Sequence, residues 1–220
     1  LAVLGLILVC SFPQVQAQEY PFQSEISAFK KQDSLHKPIE NPILFIGSSS
    51  FTNWTDVQDY FPQLAILNRA FGGSTLKDVI HYFDDIVIPY QPQQIVIYCG
   101  ENDFAESDTV TSITVLSRFK TLHQLIRSRV GDLNIVFVSI KPSISRQHLM
   151  PKYIEGNRLI QDFLQEDKNA AFVNVYDAML DDKGNPKSEI FLADNLHMNE
   201  KGYRIWQALM APYMGSTKGR

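Results

Sequence analysis

Near the C-terminus, Asp194 stands three residues before His197, a pairing that could supply a general base and the carboxylate that orients it. At this spacing one turn of chain lets the carboxylate accept the ring N–H of the histidine. That hydrogen bond would fix the imidazole tautomer and stabilise the imidazolium that forms when the histidine takes a proton. A single histidine near the start of a helix is more often structural, so the pair indicates chemistry only in company with a nucleophile.

Ser49 is the candidate nucleophile. It lies in a turn of small residues, 47–50, directly after the apolar run 43–46. Such a turn can hold a hydroxyl at the tip of a strand with its backbone N–H turned inward. A serine-rich turn before a helix also acts as a plain N-cap, and Ser50 is a rival for the nucleophile's role. This segment alone therefore leaves the assignment open.

Two further turns could supply donors for the oxyanion of an acyl-transfer intermediate. Segment 68–74 contains Gly72 and Gly73, and paired glycines allow close backbone approach to a ligand, so that the N–H of Gly73 could act as a donor. Segment 100–103 contains Asn102, whose side-chain amide could point to the same place. Each turn is also common as an ordinary connection. The occurrence of all four segments in this order is what favours chemistry.

The elements that would position these residues alternate along the chain. Short apolar runs typical of strands buried on both faces occupy residues 43–46, 64–68, 94–98, 134–140 and 171–175. Apolar residues recur at helical spacing within 76–87, 115–126 and 154–164, and in a last helix for which Asn199 is the predicted N-cap. This alternation predicts a single three-layer α/β/α sandwich around a five-stranded parallel sheet. Ligands bind such sheets at the carboxyl ends of the strands, where the three turns lie.

The four segments resemble the motifs of the SGNH hydrolases, also called GDSL-like lipases and acylhydrolases, over residues 40–212. The resemblance implies a flavodoxin-like fold and a serine esterase that forms an acyl-enzyme. By position, the catalytic triad of the family falls on Ser49, Asp194 and His197. Its oxyanion donors fall on Ser49, Gly73 and Asn102. The chemistry that the resemblance implies needs no cofactor, and the sequence shows no clustered His/Cys spacing that would indicate a metal site.

Two positions depart from the family pattern. The aspartate that precedes the nucleophile in the family is Ser48 in this chain, and the aliphatic residue that follows it is Ser50. Neither position has a catalytic role in the family. In the Gly-x-Ser pattern the third residue takes the serine position, so the register favours Ser49 over Ser50 as nucleophile.

The substrate is less constrained by the sequence. Lys141 and Arg146 belong to a polar segment after the fourth predicted strand, and Trp54 follows the nucleophile closely, so these three side chains could bind a sugar or an anionic group. They could equally belong to a solvated loop and to the core. A long apolar lid segment is absent from the sequence, which favours short acyl esters, above all acetyl esters, on carbohydrates. A lysophospholipase or a platelet-activating-factor acetylhydrolase relative would share the same motifs, so fold and triad leave these alternatives open.

Two interpretations that assign a different class of function to the chain are less well supported. A non-catalytic glycan-binding module could keep the fold, but it would have no reason to retain Ser, Gly, Asn, Asp and His together. Inertness toward every ester would favour it. A flavodoxin-like nucleotide binder would use the same crevice, yet no strand-end turn carries a G-x-G-x-x-G or a G-x-x-x-x-G-K-[ST] pattern.

Composition and charge limit the classes of partner that the chain is expected to bind. The chain has 220 residues and 45% apolar content, which suits one domain with a sizeable core. Its formal net charge is -4, and no basic stretch stands out that could neutralise a nucleic-acid backbone or an anionic membrane surface. We therefore expect a small-molecule or glycan ester as partner and no nucleic acid. The sequence does not predict an oligomeric state.

Residues 1–17 are predicted to be an export signal, followed by the hydrolase domain at 18–220. The apolar run 1–9 precedes small residues that fit a cleavage site after Ala17, which predicts a secreted or periplasmic protein. The run is about half of the ~20 residues that a membrane span requires, so no stable span is expected. A lipoprotein acylated at Cys10 is disfavoured because Val9 stands where a small residue is needed. Cys99, in an apolar run, is expected to be a buried hydrophobe.

Overall fold

The structure, a computed structural model, describes residues 20–215 and contains the predicted alternation of strands and helices. The strands are β1 (Ile43–Gly47), β2 (Ile66–Asn68), β3 (Gln94–Tyr98), β4 (Asn134–Val138) and β5 (Ala170–Val173). The helices are α1 (Gln23–Leu35), α2 (Ser49–Thr52), α3 (Val57–Tyr60), α4 (Leu76–His81), α5 (Phe83–Ile86), α6 (Glu101–Glu106), α7 (Ser112–Arg129), α8 (Met150–Leu164) and α9 (Glu200–Met210). Short 3-10 turns lie at Ile88–Tyr90, Gln147–Leu149, Asp177–Met179, Ser188–Ile190 and Ala211–Tyr213.

All five strands pair in parallel, in the order β2-β1-β3-β4-β5, which confirms the predicted sheet. Ile43 of β1 lies opposite Ile66 on one side and Gln94 on the other. The chain leaves β1 for the edge strand β2 and then returns to form β3 on the other side of β1. In sheets of this order a crevice opens at the carboxyl ends of β1 and β3, where the order reverses.

Two hydrophobic layers cover the sheet, because successive strand residues point to opposite faces. Leu44 and Ile46 belong to a core cluster that also contains buried residues of α1, α4, α5, α7 and α8. Phe45 belongs to a second cluster, which contains buried residues of α2, α3 and α9. The three-layer sandwich is thereby confirmed. Asn199 caps α9 as predicted, since its side chain accepts from the N–H of Lys201 at 2.9 Å.

The structure differs from the prediction at several element boundaries. Strand β2 begins at Ile66, two residues after the start of the predicted strand 64–68. The predicted helix over 76–87 is divided at Tyr82 into α4 and α5. The predicted strands 134–140 and 171–175 end earlier, at Val138 and Val173. Just after these ends, the hydroxyl of Ser139 accepts the N–H groups of Val175 and Tyr176 at 3.0 and 3.2 Å, so a side chain replaces the backbone ladder.

Helix α1 is not predicted by the sequence pattern. It carries one fully buried residue, Ile26. An ion pair between Asp33 and the buried Arg69 joins this helix to the segment after β2. The predicted export signal, residues 1–17, lies outside the described residues. Within residues 20–215, no helix combines the length and apolar character that crossing a membrane would demand.

Candidate active site

The turn that carries Ser49 depends on a close approach of two strands. Gly47, the last residue of β1, has φ +126°, and a Cβ atom there would lie 1.9 Å from the carbonyl oxygen of Tyr98. The next backbone N–H, that of Ser48, donates to the same oxygen at 3.0 Å. Only glycine fits this junction. Ser49 then opens α2, so its N–H is among the helix-terminal donors that lack a partner within the helix.

The structure places the side chains of Ser49, His197 and Asp194 in a row, with His197 in contact with the other two. The Nε2 atom of His197 lies 3.0 Å from Oγ of Ser49, and its Nδ1 atom lies 2.6 Å from Oδ2 of Asp194. The other carboxylate oxygen, Oδ1, accepts the N–H groups of Leu196 and His197, both at 2.9 Å. With Nδ1–H donating to Asp194, Nε2 is the atom left to accept the serine proton. The arrangement is that of a nucleophile, a general base and its orienting carboxylate.

The environment of Asp194 keeps it ionised. Burial by itself would raise the pKa of this carboxyl, but the hydrogen bond from His197 and those from the backbone N–H groups of Leu196 and His197 outweigh it and lower the pKa to about 2. A carboxylate that stays charged can hold the imidazole and stabilise its protonated form.

Ser50, the rival nucleophile, lies in the core. It is 1% exposed, and its carbonyl accepts the hydroxyl of Tyr203 at 3.0 Å. Ser49 is more accessible, and its hydroxyl contacts the histidine. The geometry therefore favours Ser49.

The two predicted oxyanion turns border the nucleophile. A Cβ atom on Gly72 would lie 3.9 Å from that of Ser49. Gly73 is exposed, with φ +84°, and no hydrogen bond to its N–H occurs within residues 20–215. Asn102 is half-buried and donates one N–H of its amide to the carbonyl of Ser74 at 3.0 Å. The second N–H of that amide is available to a ligand.

Ser74 connects all three strand-end turns, a role that nothing in its sequence context signals. Its hydroxyl donates to the carbonyl of Gly47 at 3.0 Å. Its carbonyl accepts from Asn102 and from the thiol of the buried Cys99, the latter at 3.7 Å. Asp103 adds a second link, because its carboxylate accepts the N–H of Leu76 at 2.9 Å. The turns are thus tied to one another by buried polar groups.

Two of the three predicted substrate contacts are wrong. Trp54 is fully buried and stacks on Tyr203 at a ring separation of 4.8 Å. Lys141 is also fully buried; its ammonium lies 3.1 Å from the carboxylate of Glu101 and donates to the carbonyl of Leu196 at 2.8 Å. Burial excludes both side chains from a substrate in the crevice.

Arg146 lies beside the site. Its Nη1 atom is 3.0 Å from Oδ1 of Asn102 and 3.2 Å from the carboxylate of Glu101. The contact of Arg146 with a substrate stays a prediction. Among residues 20–215, His, Cys, Asp and Glu side chains form no group of three or more that could hold a metal ion.

Comparison with known proteins finds a family model and a curated relative that match this chain. The family model described as "GDSL-like Lipase/Acylhydrolase family" matches residues 45–205. A curated relative, the N-acylneuraminate cytidylyltransferase of Escherichia coli O18:K1:H7, is 26% identical over 169 residues, which are 74% of this chain. The chain spans only 38% of the length of that relative.

Solved structures share the fold at low sequence identity. A protein described as a candidate platelet activating factor from Streptococcus pneumonia superposes with a TM-score of 0.75 at 22% identity, over 87% of this chain and 92% of the other. A GDSL-like lipase from Bacteroides thetaiotaomicron gives 0.71 at 20% identity, over 86% and 96%. A catalytic mutant of an acetylxylan esterase from Geobacillus stearothermophilus gives 0.64 at 15% identity, over 80% and 95%.

Proposed function

Since the chain belongs to the GDSL-like lipase/acylhydrolase family, we propose that it is a serine esterase that hydrolyses carboxylic esters through an acyl-enzyme on Ser49. The observation that carries this proposal is the continuous contact from Ser49 through His197 to Asp194, at 3.0 and 2.6 Å. A module that only binds glycans would gain nothing from this alignment.

In the acylation step, Nε2 of His197 takes the proton of Ser49 as the hydroxyl oxygen attacks the ester carbonyl. Asp194, accepting Nδ1–H, stabilises the imidazolium. The tetrahedral intermediate then collapses, and His197 returns the proton to the departing alcohol. A water molecule, deprotonated by the same histidine, then attacks the acyl carbon. The bond from that carbon to Oγ of Ser49 breaks, the acid leaves, and His197 returns the proton to Oγ.

The oxyanion would be held by the N–H groups of Ser49 and Gly73 and by the free amide N–H of Asn102. Loss of one donor of this kind costs about 3 kcal/mol of transition-state stabilisation, or roughly a hundredfold or more in rate. The donors belong to three different turns, and Ser74 ties these turns together, so their spacing is set before substrate binds.

We propose short acyl groups, above all acetyl, on a carbohydrate as the substrate class. Among the large apolar side chains that residues 20–215 leave exposed, Leu192 alone lies in the segment that carries Asp194 and His197. A long acyl chain would need a larger apolar surface next to the triad. One of the compared proteins is named as an acetylxylan esterase, which supports this choice.

We also propose that residues 1–17 direct export and that the mature hydrolase domain begins at Gln18. The support is the apolar run followed by small residues before Ala17. An N-terminus at Gln18 in protein recovered from the medium or periplasm would support this; retention of residues 1–17 would refute it.

The test is hydrolysis of p-nitrophenyl acetate, butyrate and octanoate by protein beginning at Gln18, with Ser49→Ala beside it. We expect turnover that depends on Ser49 and falls steeply with chain length. Release of acetate from an acetylated oligosaccharide and from an acetylated lysophospholipid then separates the sugar and lipid alternatives. Absence of Ser49-dependent turnover on every ester would refute the esterase and favour the binding module.

A further inference from the structure

The side-chain amide of Asn102 is held from both ends. Its oxygen, Oδ1, accepts from Nη1 of Arg146 at 3.0 Å, while its nitrogen donates to the carbonyl of Ser74 at 3.0 Å. A guanidinium only donates and a carbonyl only accepts. The two partners therefore fix the amide in a single orientation, with the NH₂ group on the side of Ser74 and the proposed oxyanion hole.

Arg146 is itself fixed by a buried carboxylate. Glu101 is 4% exposed and lies 3.2 Å from Nη1 of Arg146. The same carboxylate accepts the hydroxyl of Tyr98 at 2.6 Å and contacts the ammonium of Lys141 at 3.1 Å. A guanidinium held in this way loses little further freedom when it binds the amide.

The carboxylate of Glu101 also reaches the turn that carries the base. Lys141 donates to the carbonyl of Leu196 at 2.8 Å, one residue before His197. One buried group therefore links the amide of Asn102, through Arg146, with the histidine turn, through Lys141.

We propose that Arg146 is a positioning residue for the oxyanion hole, acting through Asn102 rather than on the substrate. This inference rests on the proposed esterase function. Arg146 prevents the amide of Asn102 from rotating its oxygen toward the negative charge of the intermediate. Its positive charge on the amide oxygen also polarises the amide, which strengthens the N–H that faces the intermediate.

If Arg146 acts through Asn102, its replacement should lower kcat only while the side chain of Asn102 is present. Arg146→Gln should lower kcat about tenfold, part of the effect of losing the donor itself, with KM changed less than about twofold because the oxyanion exists only in the transition state. Arg146→Lys keeps the charge but not the planar group that Asn102 and Glu101 share, so it should restore only part of kcat. In an Asn102→Ala background, Arg146→Gln should cause no further loss.

Arg127→Gln is the matched control. Its side chain is 20% exposed against 22% for Arg146, and it also pairs with a carboxylate, that of Asp167. It lies at the amino ends of the strands, where it donates to the carbonyls of Leu133 and Asn169. This variant should lower the thermal unfolding temperature and leave kcat unchanged.

The experiment is steady-state hydrolysis of p-nitrophenyl acetate by the two Arg146 variants, Asn102→Ala, the double variant and Arg127→Gln. A rise in KM at unchanged kcat on Arg146→Gln would make Arg146 a substrate contact and overturn the proposal. Losses that multiply in the double variant would also overturn it. Failure of the proposed function is separately visible, since the parent protein would then show no turnover that Ser49→Ala abolishes.

Discussion

The Nε2 atom of His197 lies 3.0 Å from Oγ of Ser49, although 148 residues separate the two along the chain. Ser49 follows β1, an interior strand of the sheet, whereas His197 lies in a turn between a 3-10 turn and α9. That turn is also held by the segment after β4, since the N–H of Ser145 donates to the carbonyl of Asn195 at 3.1 Å. The contact therefore exists only when the sheet is formed.

Because the proposed mechanism assigns Ser49 and His197 to one proton transfer, the effects of removing them should not be additive. We expect Ser49→Ala and His197→Ala each to lower kcat by at least about 10⁴-fold, and the double variant to be no slower than either one. The measurement is kcat on p-nitrophenyl acetate, with circular dichroism to confirm that each variant is folded.

Ser50→Ala is the control for the nucleophile, because Ser50 is adjacent in sequence but buried. It should retain turnover within a few-fold of the parent protein. Retained activity in Ser49→Ala together with its loss in Ser50→Ala would reverse the assignment.

The hydrogen bonds that hold the carboxylate of Asp194 predict a pH dependence of stability. The folded pKa of Asp194 is about 2, below the ordinary value of about 3.9, so the unfolded chain takes up this proton first as the pH falls. The stabilisation is thus fully present above about pH 4 and is lost as the pH falls through about 2. Urea unfolding of the parent protein and of Asp194→Asn should show a difference that is largest near neutral pH and shrinks in strong acid. A difference of equal size near pH 6 and pH 3 would contradict the lowered pKa.

Much of the fold could be predicted from the sequence, because strands buried on both faces appear as continuous apolar runs. The run over 94–98 coincides with β3. Helix α1 was not predicted because it has no apolar stripe, with Ile26 as its one fully buried residue. The early end of β4 depends on the hydroxyl of Ser139, a contact across the sheet that local patterns do not reveal.

The candidate site, like the fold, could be predicted only in part from the sequence. The order of four short segments predicted which residues would meet, since a parallel sheet gathers its strand-end turns at one edge. It could not predict where a side chain points. Trp54 follows Ser49 closely and Lys141 follows β4, yet both side chains are buried, and Lys141 has a carboxylate partner, Glu101, that lies 40 residues away. Such partnerships require the three-dimensional arrangement.

The buried charges near the site should differ in their effect on stability. Glu101→Gln leaves the fully buried Lys141 without a carboxylate, and loss of one partner of a buried ion pair typically costs about 3–5 kcal/mol. Lys141→Met should cost less, because Glu101 keeps the hydroxyl of Tyr98 and the guanidinium of Arg146. Burial lowers the pKa of Lys141 even beside Glu101, so Glu101→Gln removes a group that favours the charged form of Lys141. Urea unfolding followed by the fluorescence of the buried Trp54 and Trp206 measures both; a larger loss for Lys141→Met would contradict this account.

The junction of β1 with the Ser49 turn should tolerate no side chain at Gly47. A Cβ atom there would lie 1.9 Å from the carbonyl oxygen of Tyr98, and φ is +126°, so Gly47→Ala combines a backbone clash with backbone strain. We expect it to lower the free energy of unfolding by about 3–5 kcal/mol and to reduce kcat in the molecules that remain folded, because β1 must move away from β3. Gly131→Ala is the control: φ is +97°, but nothing lies within 4 Å of the added Cβ, so strain alone should cost about 1 kcal/mol with kcat unchanged. Urea unfolding and kcat on p-nitrophenyl acetate measure both effects, and equal losses in the two variants would show that the contact with Tyr98 does not set the position of Ser49.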